Sequence, residues 1–396
     1  MRLIHALAGF ALFSRSLAGQ HLVSRADARD AALLRGARGA VARADTLAAA
    51  GLLHGARLYP NPSLGATYTK DTPHYHVIAD VPLDLPWLRS ARIGAAAQAS
   101  DAARFRFAFE RAAIRFDIDT TYTHALAARA HAELSHRTAQ AADTLLAMAR
   151  LRRSVGDVSD LDVRLAEVNA GQLANAAADD SLASVATLLA VQLAMGLAAD
   201  SQTIVLTDSL APPADTAVPV AAGEPLRVAA AQADLRSQER TLSLAHRNAF
   251  PAPSFQVGVE FGDPTQRGSL PTFGLALPIP LFHRNGGEVA QARAARERAR
   301  AELDLARREQ DAELQNARRV FAVARTRVMR DRALLAGADQ VAAMSLQAYR
   351  EGAVPLANVL EAQRLAREAL GRYVDDMAAS NDAADLVRLL TAVTVP

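Results

Sequence analysis

Tyr59-Pro60-Asn61-Pro62-Ser63-Leu64 and Phe250-Pro251-Ala252-Pro253-Ser254-Phe255 are one phrase written twice, and each opens a run of strict alternation. After the first, Leu64, Ala66 and Tyr68 alternate with Ser63, Gly65, Thr67 and Thr69. Tyr75, Val77, Ala79, Val81 and Leu83 then alternate with His74, His76, Ile78, Asp80 and Asp84. After the second, Phe255, Val257, Val259 and Phe261 alternate with Ser254, Gln256, Gly258 and Glu260. Phe273, Leu275, Leu277, Ile279 and Leu281 follow against Thr272, Gly274, Ala276 and two prolines. Period 2 puts successive side chains on opposite faces of a strand. Asp71-Thr72-Pro73 and the stretch from Gly262-Asp263-Pro264 are turn chemistry, so two β-hairpins are predicted, over 63–85 and 254–282. Such strands fit a half-buried sheet of a soluble protein, or a membrane barrel with apolar side chains outside and polar ones inside. Four strands are too few to close a barrel, so the second reading requires several copies of the chain.

Proline outlines the rest. None occurs between Pro86 and Pro212 or between Pro280 and Pro355, and those gaps are rich in Ala, Arg, Glu, Leu and Gln. Proline removes a donor and clashes inside a helix, so the gaps mark helices and the clusters their ends. Ala299, Leu303, Ala306, Leu314, Ala317, Phe321, Ala324 and Val328 recur three or four apart, with Gln310 filling the one gap. That narrow seam is coiled-coil-like packing. A helix over 288–347 would run about 90 Å, more than a compact domain needs. At an offset of 196 the helical parts repeat: Ile93 falls on Val289, Met148 on Met344, Gly156 on Gly352, Val158 on Val354 and Val163 on Val359. The predicted organisation is a first repeat over 24–200 and a second over 226–392, joined by a Pro-, Ala- and Thr-rich linker at 201–225. Each repeat reads helix, hairpin, very long helix, tip turn (155–159 or 351–355) and helix.

Composition removes several functions. There is no cysteine, hence no disulfide, thiolate metal site, Cys nucleophile or lipid-acylation site. The net charge is +2 with 44 basic against 42 acidic residues, and no basic block suggests nucleic acid. The ten histidines show no paired metal spacing, and no phosphate loop or nucleophile elbow occurs. An enzyme, a cofactor or a bound metal is therefore not expected. Met1-Arg2, an apolar stretch from Leu3 to Phe13 and Ser16-Leu17-Ala18 read as a secretory signal peptide over 1–18.

Together these features resemble the outer-membrane efflux protein family (TolC-like), nearest its heavy-metal and multidrug branch. The carriers are the tandem repeat, both Pro-x-Pro-Ser phrases and Leu277-Pro278-Ile279-Pro280-Leu281-Phe282. Gly156-Asp157-Val158-Ser159 with Asp162-Val163, and Tyr349-Arg350-Glu351-Gly352 with Asn358-Val359-Leu360-Glu361-Ala362, complete them. The resemblance implies a mostly α protein with a β-hairpin pair per chain: a homotrimer pooling twelve strands into a transmembrane β-barrel and twelve helices into an α-barrel. It implies outer-membrane lipid around the barrel, a periplasmic adaptor and an inner-membrane pump as partners, and no catalysed reaction. Lipid would then face Leu64, Tyr68, Val77, Val81, Phe255, Val257, Val259, Phe273, Leu275 and Leu277. The turns at Gly156 and Gly352 would be periplasmic tips that gate the tunnel. Asp162 and Tyr349 would form a carboxylate–phenol gate link, while Val354 stands where the family often carries arginine. The family's acidic ring falls on Asn358, which has no charge, and Glu361; three copies of Glu361 would raise one another's pKa and favour cations. The exit duct of a one-step protein secretion system is a related alternative, and a periplasmic coiled-coil adaptor one of another class.

Overall fold

The computed structural model describes residues 21–198, 204–213, 223–250, 252–266, 268–282 and 284–393. The expected signal peptide lies outside the described residues, as does most of the expected linker. In chain order the elements are β1 (His21–Val23), α1 (Arg25–Arg35), α2 (Ala37–Arg57), β2 (Ser63–Tyr68), β3 (Tyr75–Pro82), α3 (Pro86–Ser154), α4 (Asp160–Ala194), β4 (Ile204–Leu206), α5 (Leu226–Arg247), β5 (Ser254–Phe261), β6 (Leu270–Ala276), α6 (Gly286–Arg350) and α7 (Leu356–Leu390). The protein is mostly helical. The proline-free gaps are α3 with α4, and α6; at 69 residues α3 is about 100 Å long.

Two compact units divide the chain, and neither coincides with a sequence half. One takes Met1–Gly36, Asp117–Pro213 and Ala324–Asp382; the other takes Ala37–Phe116, Ala214–Val323 and Ala383–Pro396. α3 and α6 each contribute residues to both units.

The second unit holds a four-stranded antiparallel sheet in the order β2-β3-β5-β6. Its register lines Leu64 up with Ala79 and Val257, Ala66 with Val77 and Val259, and Tyr68 with Tyr75 and Phe261. Phe255 pairs with Leu275, and Val257 with Phe273. Each apolar set therefore lies on the same face, and much of it is uncovered: Leu64 is 76% exposed, Phe273 72% and Leu275 66%. On the other face His76 Nδ1 lies 3.2 Å from Glu260 Oε1, and Ser254 Oγ donates to Asp80 Oδ1 at 2.7 Å. Sequence alternation extends the last strand to Leu281, whereas β6 stops at Ala276. Pro278 and Pro280 offer no N–H to a ladder, so Leu277 lies just past the strand.

The first unit contains structure with no counterpart in the periodicity. β1 pairs in parallel with β4, inside the stretch expected to be a linker, and Ile204 and Leu206 are buried. Tyr122, fully buried on α3, ties this pair down: its Oη lies 2.7 Å from Asp208 Oδ2 and 2.9 Å from Val23 O. The backbone N–H of Arg25 donates to the same carboxylate at 2.8 Å, and Arg129 donates to Leu206 O and Asp208 O. Burial and the neighbouring carboxylate push the Tyr122 phenol well above its ordinary pKa. The segment is short and built on side-chain anchors, so hydrophobic periodicity could not reveal it. Within α4, an 18-residue stretch reaches a mean hydropathy of 1.2, enough by composition alone for a membrane span. Asp179 and Asp180 interrupt the apolar residues of that stretch.

Tyr122→Phe removes the hydroxyl that joins α3 to Asp208 and Val23. It should cost about 1–3 kcal/mol, read as a lower urea midpoint with an unchanged slope.

Candidate functional site at the helix turns

The two turns that end α3 and α6 are built alike. At the first, Gly156 N donates to Arg153 O at 3.0 Å and Asp157 N to Arg152 O at 2.9 Å. At the second, Gly352 N donates to Tyr349 O at 3.0 Å and Ala353 N to Ala348 O at 2.8 Å. These paired bonds are the Schellman closure of a helix end, which needs a left-handed residue. Gly156 and Gly352 supply it, with φ of 81° and 76°.

The helices that leave the turns start differently. Ser159 caps α4: its Oγ accepts from Asp162 N at 3.2 Å and donates to Asp162 Oδ2 at 2.7 Å, and Ser159 N donates to the same oxygen at 3.1 Å. This is a complete capping box. At the corresponding place before α7 stand Pro355 and Asn358, and Asn358 N bonds Pro355 O at 3.1 Å instead. Asn358 is exposed.

Between the turns lies a small core of Leu145, Ala149, Ala166, Tyr349, Leu356 and Val359, with Val163 and Val354 against it. Tyr349 is 2% exposed, and among the described residues its hydroxyl has no partner within hydrogen-bond geometry. Burial raises the phenol pKa; the Arg152 guanidinium opposes this and the Asp162 carboxylate adds to it. The expected Asp162–Tyr349 hydrogen bond is thus not made within the chain. Ser159 holds the Asp162 carboxylate in the capping box, which supplies both a donor hydroxyl and an orphan helix N–H.

Glu361 is exposed and accepts from Arg364 Nη2 at 2.6 Å and Nε at 2.9 Å. Hydrogen bonding to that guanidinium holds its carboxyl below the usual glutamate range. The rise expected from like charges belongs to three copies side by side, whereas this lowering arises within one chain. An arginine one turn away offsets the charge before another copy is considered, and the same arginine also reaches Glu368.

Arg152, which the sequence analysis passed over, joins the turns. Its Nε and Nη2 each lie 2.6 Å from Asp157 Oδ2, its Nη1 donates to Tyr349 O at 2.7 Å, and its guanidinium carbon stands 4.7 Å from the Tyr349 ring centroid. A signal existed: the repeat position that matches Arg152 is Ala348, so the arginine is peculiar to one turn.

No family model matches the chain. The cobalt-zinc-cadmium resistance protein CzcC of Cupriavidus metallidurans is 25% identical over 340 residues, covering 84% of this chain and 81% of that protein. The outer membrane protein VceC of Vibrio cholerae superposes with a TM-score of 0.76 at 16% identity, over 93% of this chain and 96% of its own. The CmeC outer membrane channel of Campylobacter jejuni gives 0.78 at 14% identity, over 93% and 85%. The chain has the fold of outer-membrane channels. Its resemblance to the outer-membrane efflux protein family therefore stands.

Two variants test the local chemistry. Tyr349→Phe deletes a hydroxyl with no well-formed hydrogen bond among the described residues, so stability should hold or rise by about 1 kcal/mol. Ser159→Ala should cost about 0.5–2 kcal/mol through the lost cap. Thermal unfolding followed by circular dichroism separates the two.

Proposed function

We propose that this chain is the outer-membrane exit duct of a tripartite efflux system: a passive homotrimeric conduit, not an enzyme, reaching from the outer membrane into the periplasm. The observation that carries the reading is the sheet. One face is apolar in register across all strands and largely exposed, and β2 and β6 have no further strand beside them among the described residues. In water such edges invite aggregation, and in lipid an open edge leaves backbone groups unpaired. Three copies that join β2 of one to β6 of the next would pair every edge in a closed ring. Lipid would then cover Leu64, Tyr68, Val77, Val81, Phe255, Val257, Val259, Phe273 and Leu275, with Leu277 at the rim. Ser63, Thr67, Asp80, Gln256 and Glu260 would line the lumen.

The helices support the same assembly. Leu305, Val320, Val323, Leu334 and Val341 of α6 remain exposed on a side away from the seam that α6 buries. A helix with two apolar sides has two neighbours, and here the second would come from the next copy. The turns at Gly156 and Gly352 would be the tips that meet a periplasmic adaptor, which in turn would join an inner-membrane pump. Asp162, Tyr349, Asn358 and Glu361 would lie around the aperture. The likeness to a protein named for cobalt, zinc and cadmium resistance favours efflux over protein secretion.

The assembly is tested by native mass spectrometry of the detergent-solubilised protein, with three chains per particle expected; a water-soluble monomer would sink the proposal. The faces are tested separately. Leu275→Arg should block insertion, costing about 2–4 kcal/mol per chain near the midplane, whereas Gln256→Arg should insert normally. Equal damage from both, measured as heat-modifiable trimer in outer-membrane fractions, would mean the faces are misassigned.

A further inference from the structure

We propose that Arg152 is the latch that holds the two helix turns of one chain together, and that these turns part when it is removed. The consequence for conduction rests on the conduit reading above; the latch itself does not. One guanidinium meets three groups that nothing else in the neighbourhood serves together. Asp157, in the loop of its own turn, takes Nε and Nη2 on a single carboxylate oxygen, 2.6 Å from each. Tyr349 O, 2.7 Å from Nη1, belongs to the other hairpin. It is one of the last carbonyls of α6, where orphan acceptors and the negative end of the helix dipole favour a cation. The Tyr349 ring offers its face at 4.7 Å.

The rest of the neighbourhood is arranged to permit this contact. The Arg152 side chain is only 17% exposed, against 51% for Arg153 and 60% for Arg150, which pair outward with Asp160 and Glu167. A Cβ built on Gly352 would stand at ordinary contact distance, 3.6 Å, from Arg152 Nη2, which sets the second turn directly beside the guanidinium. Tyr349 contributes its ring and its carbonyl to the contact while its hydroxyl stays unpartnered. The link between hairpins therefore runs through arginine and main chain, and a phenol–carboxylate bond has no part in it. Only one turn supplies the cation, because Ala348 occupies the matching place on α6.

The chain has no cysteine, so spin labels can be placed by substitution alone. Val155→Cys with Ala353→Cys puts one label on each turn, both at exposed positions. Labelled chains diluted into unlabelled ones report the distance within a chain by pulsed electron resonance. In the full-length protein the distribution should be narrow, and Arg152→Met should at least double its width. Arg152→Lys should give an intermediate width, because an ammonium is a point charge that cannot serve a carboxylate, a carbonyl and a ring face in fixed geometry. Tyr349→Phe should leave the width unchanged. A width unaltered by Arg152→Met overturns the latch, and so does a Tyr349→Phe effect as large as that of Arg152→Met. If Arg152→Met fails to fold, the Arg152→Lys and Asp157→Asn widths decide the matter in the same way. Single-channel conductance in planar bilayers separates this from the conduit reading. Wider distances with higher conductance support both, and wider distances with unchanged conductance keep the latch and remove the gate. Altered conductance at unaltered distance overturns the latch.

Discussion

A backbone N–H or C=O that cannot reach water must find a partner in protein, and the four-stranded sheet is the part of this chain where that requirement presses hardest. Its inner ladders are complete, β2 to β3, β3 to β5 and β5 to β6, while among the described residues no strand pairs with the outer edges of β2 and β6. The apolar face of the same sheet is exposed and in register, so the edges border a surface that water does not favour. An arrangement that satisfies one end of a strand pair but leaves the other open stays incomplete at any size, except as a closed ring. The side-chain pattern and the backbone pattern thus ask for the same solution.

The helices meet a milder version of the constraint, since each satisfies its own backbone except at its ends. That places the chemistry at the ends. The Schellman closures at Gly156 and Gly352 satisfy orphan carbonyls at the ends of α3 and α6, the Ser159–Asp162 box satisfies orphan donors at the start of α4, and Arg152 adds a second donor to Tyr349 O, which Gly352 N already reaches. Between the ends the seams are narrow and alanine-rich. Ala317, Ala324 and Val328 are buried on α6, and Gln310, the polar member of the seam, donates its amide to Leu390 O at 2.6 Å. A seam of small residues buries little area per contact, so each helix depends on length and on more than one neighbour.

Capping also explains why the two turns, alike in backbone, differ in electrostatics. Asp162 is held by Ser159, whereas Asn358 has only Pro355 ahead of it and forms no box. Glu361 is drawn to Arg364 by a spacing of one helical turn, a contact that a single exposed helix makes whatever surrounds it. The charges near the second turn are therefore partly balanced within α7 itself.

Much of this was legible in the residues. Periodicity of two and of about three and a half, broken by proline, separates strands from helices without reference to any other chain, because each period is a property of one element's geometry. The two glycines of the turns were legible for the same local reason. What the sequence could not disclose depended on partners distant along the chain. β1 and β4 are three residues each and exist because Tyr122, Asp208 and Arg129 hold them. β6 ends at Ala276, opposite Ser254 where β5 begins, a register that the alternation running on to Leu281 does not show. The choice of Asp162 between Ser159 and Tyr349 was a competition between a neighbour three residues away and one that only folding brings near, and the near neighbour won. Arg152 is the clearest case: as a residue in the last turn of a helix it is ordinary, and only the tertiary structure places the end of α6 and the face of Tyr349 within its reach.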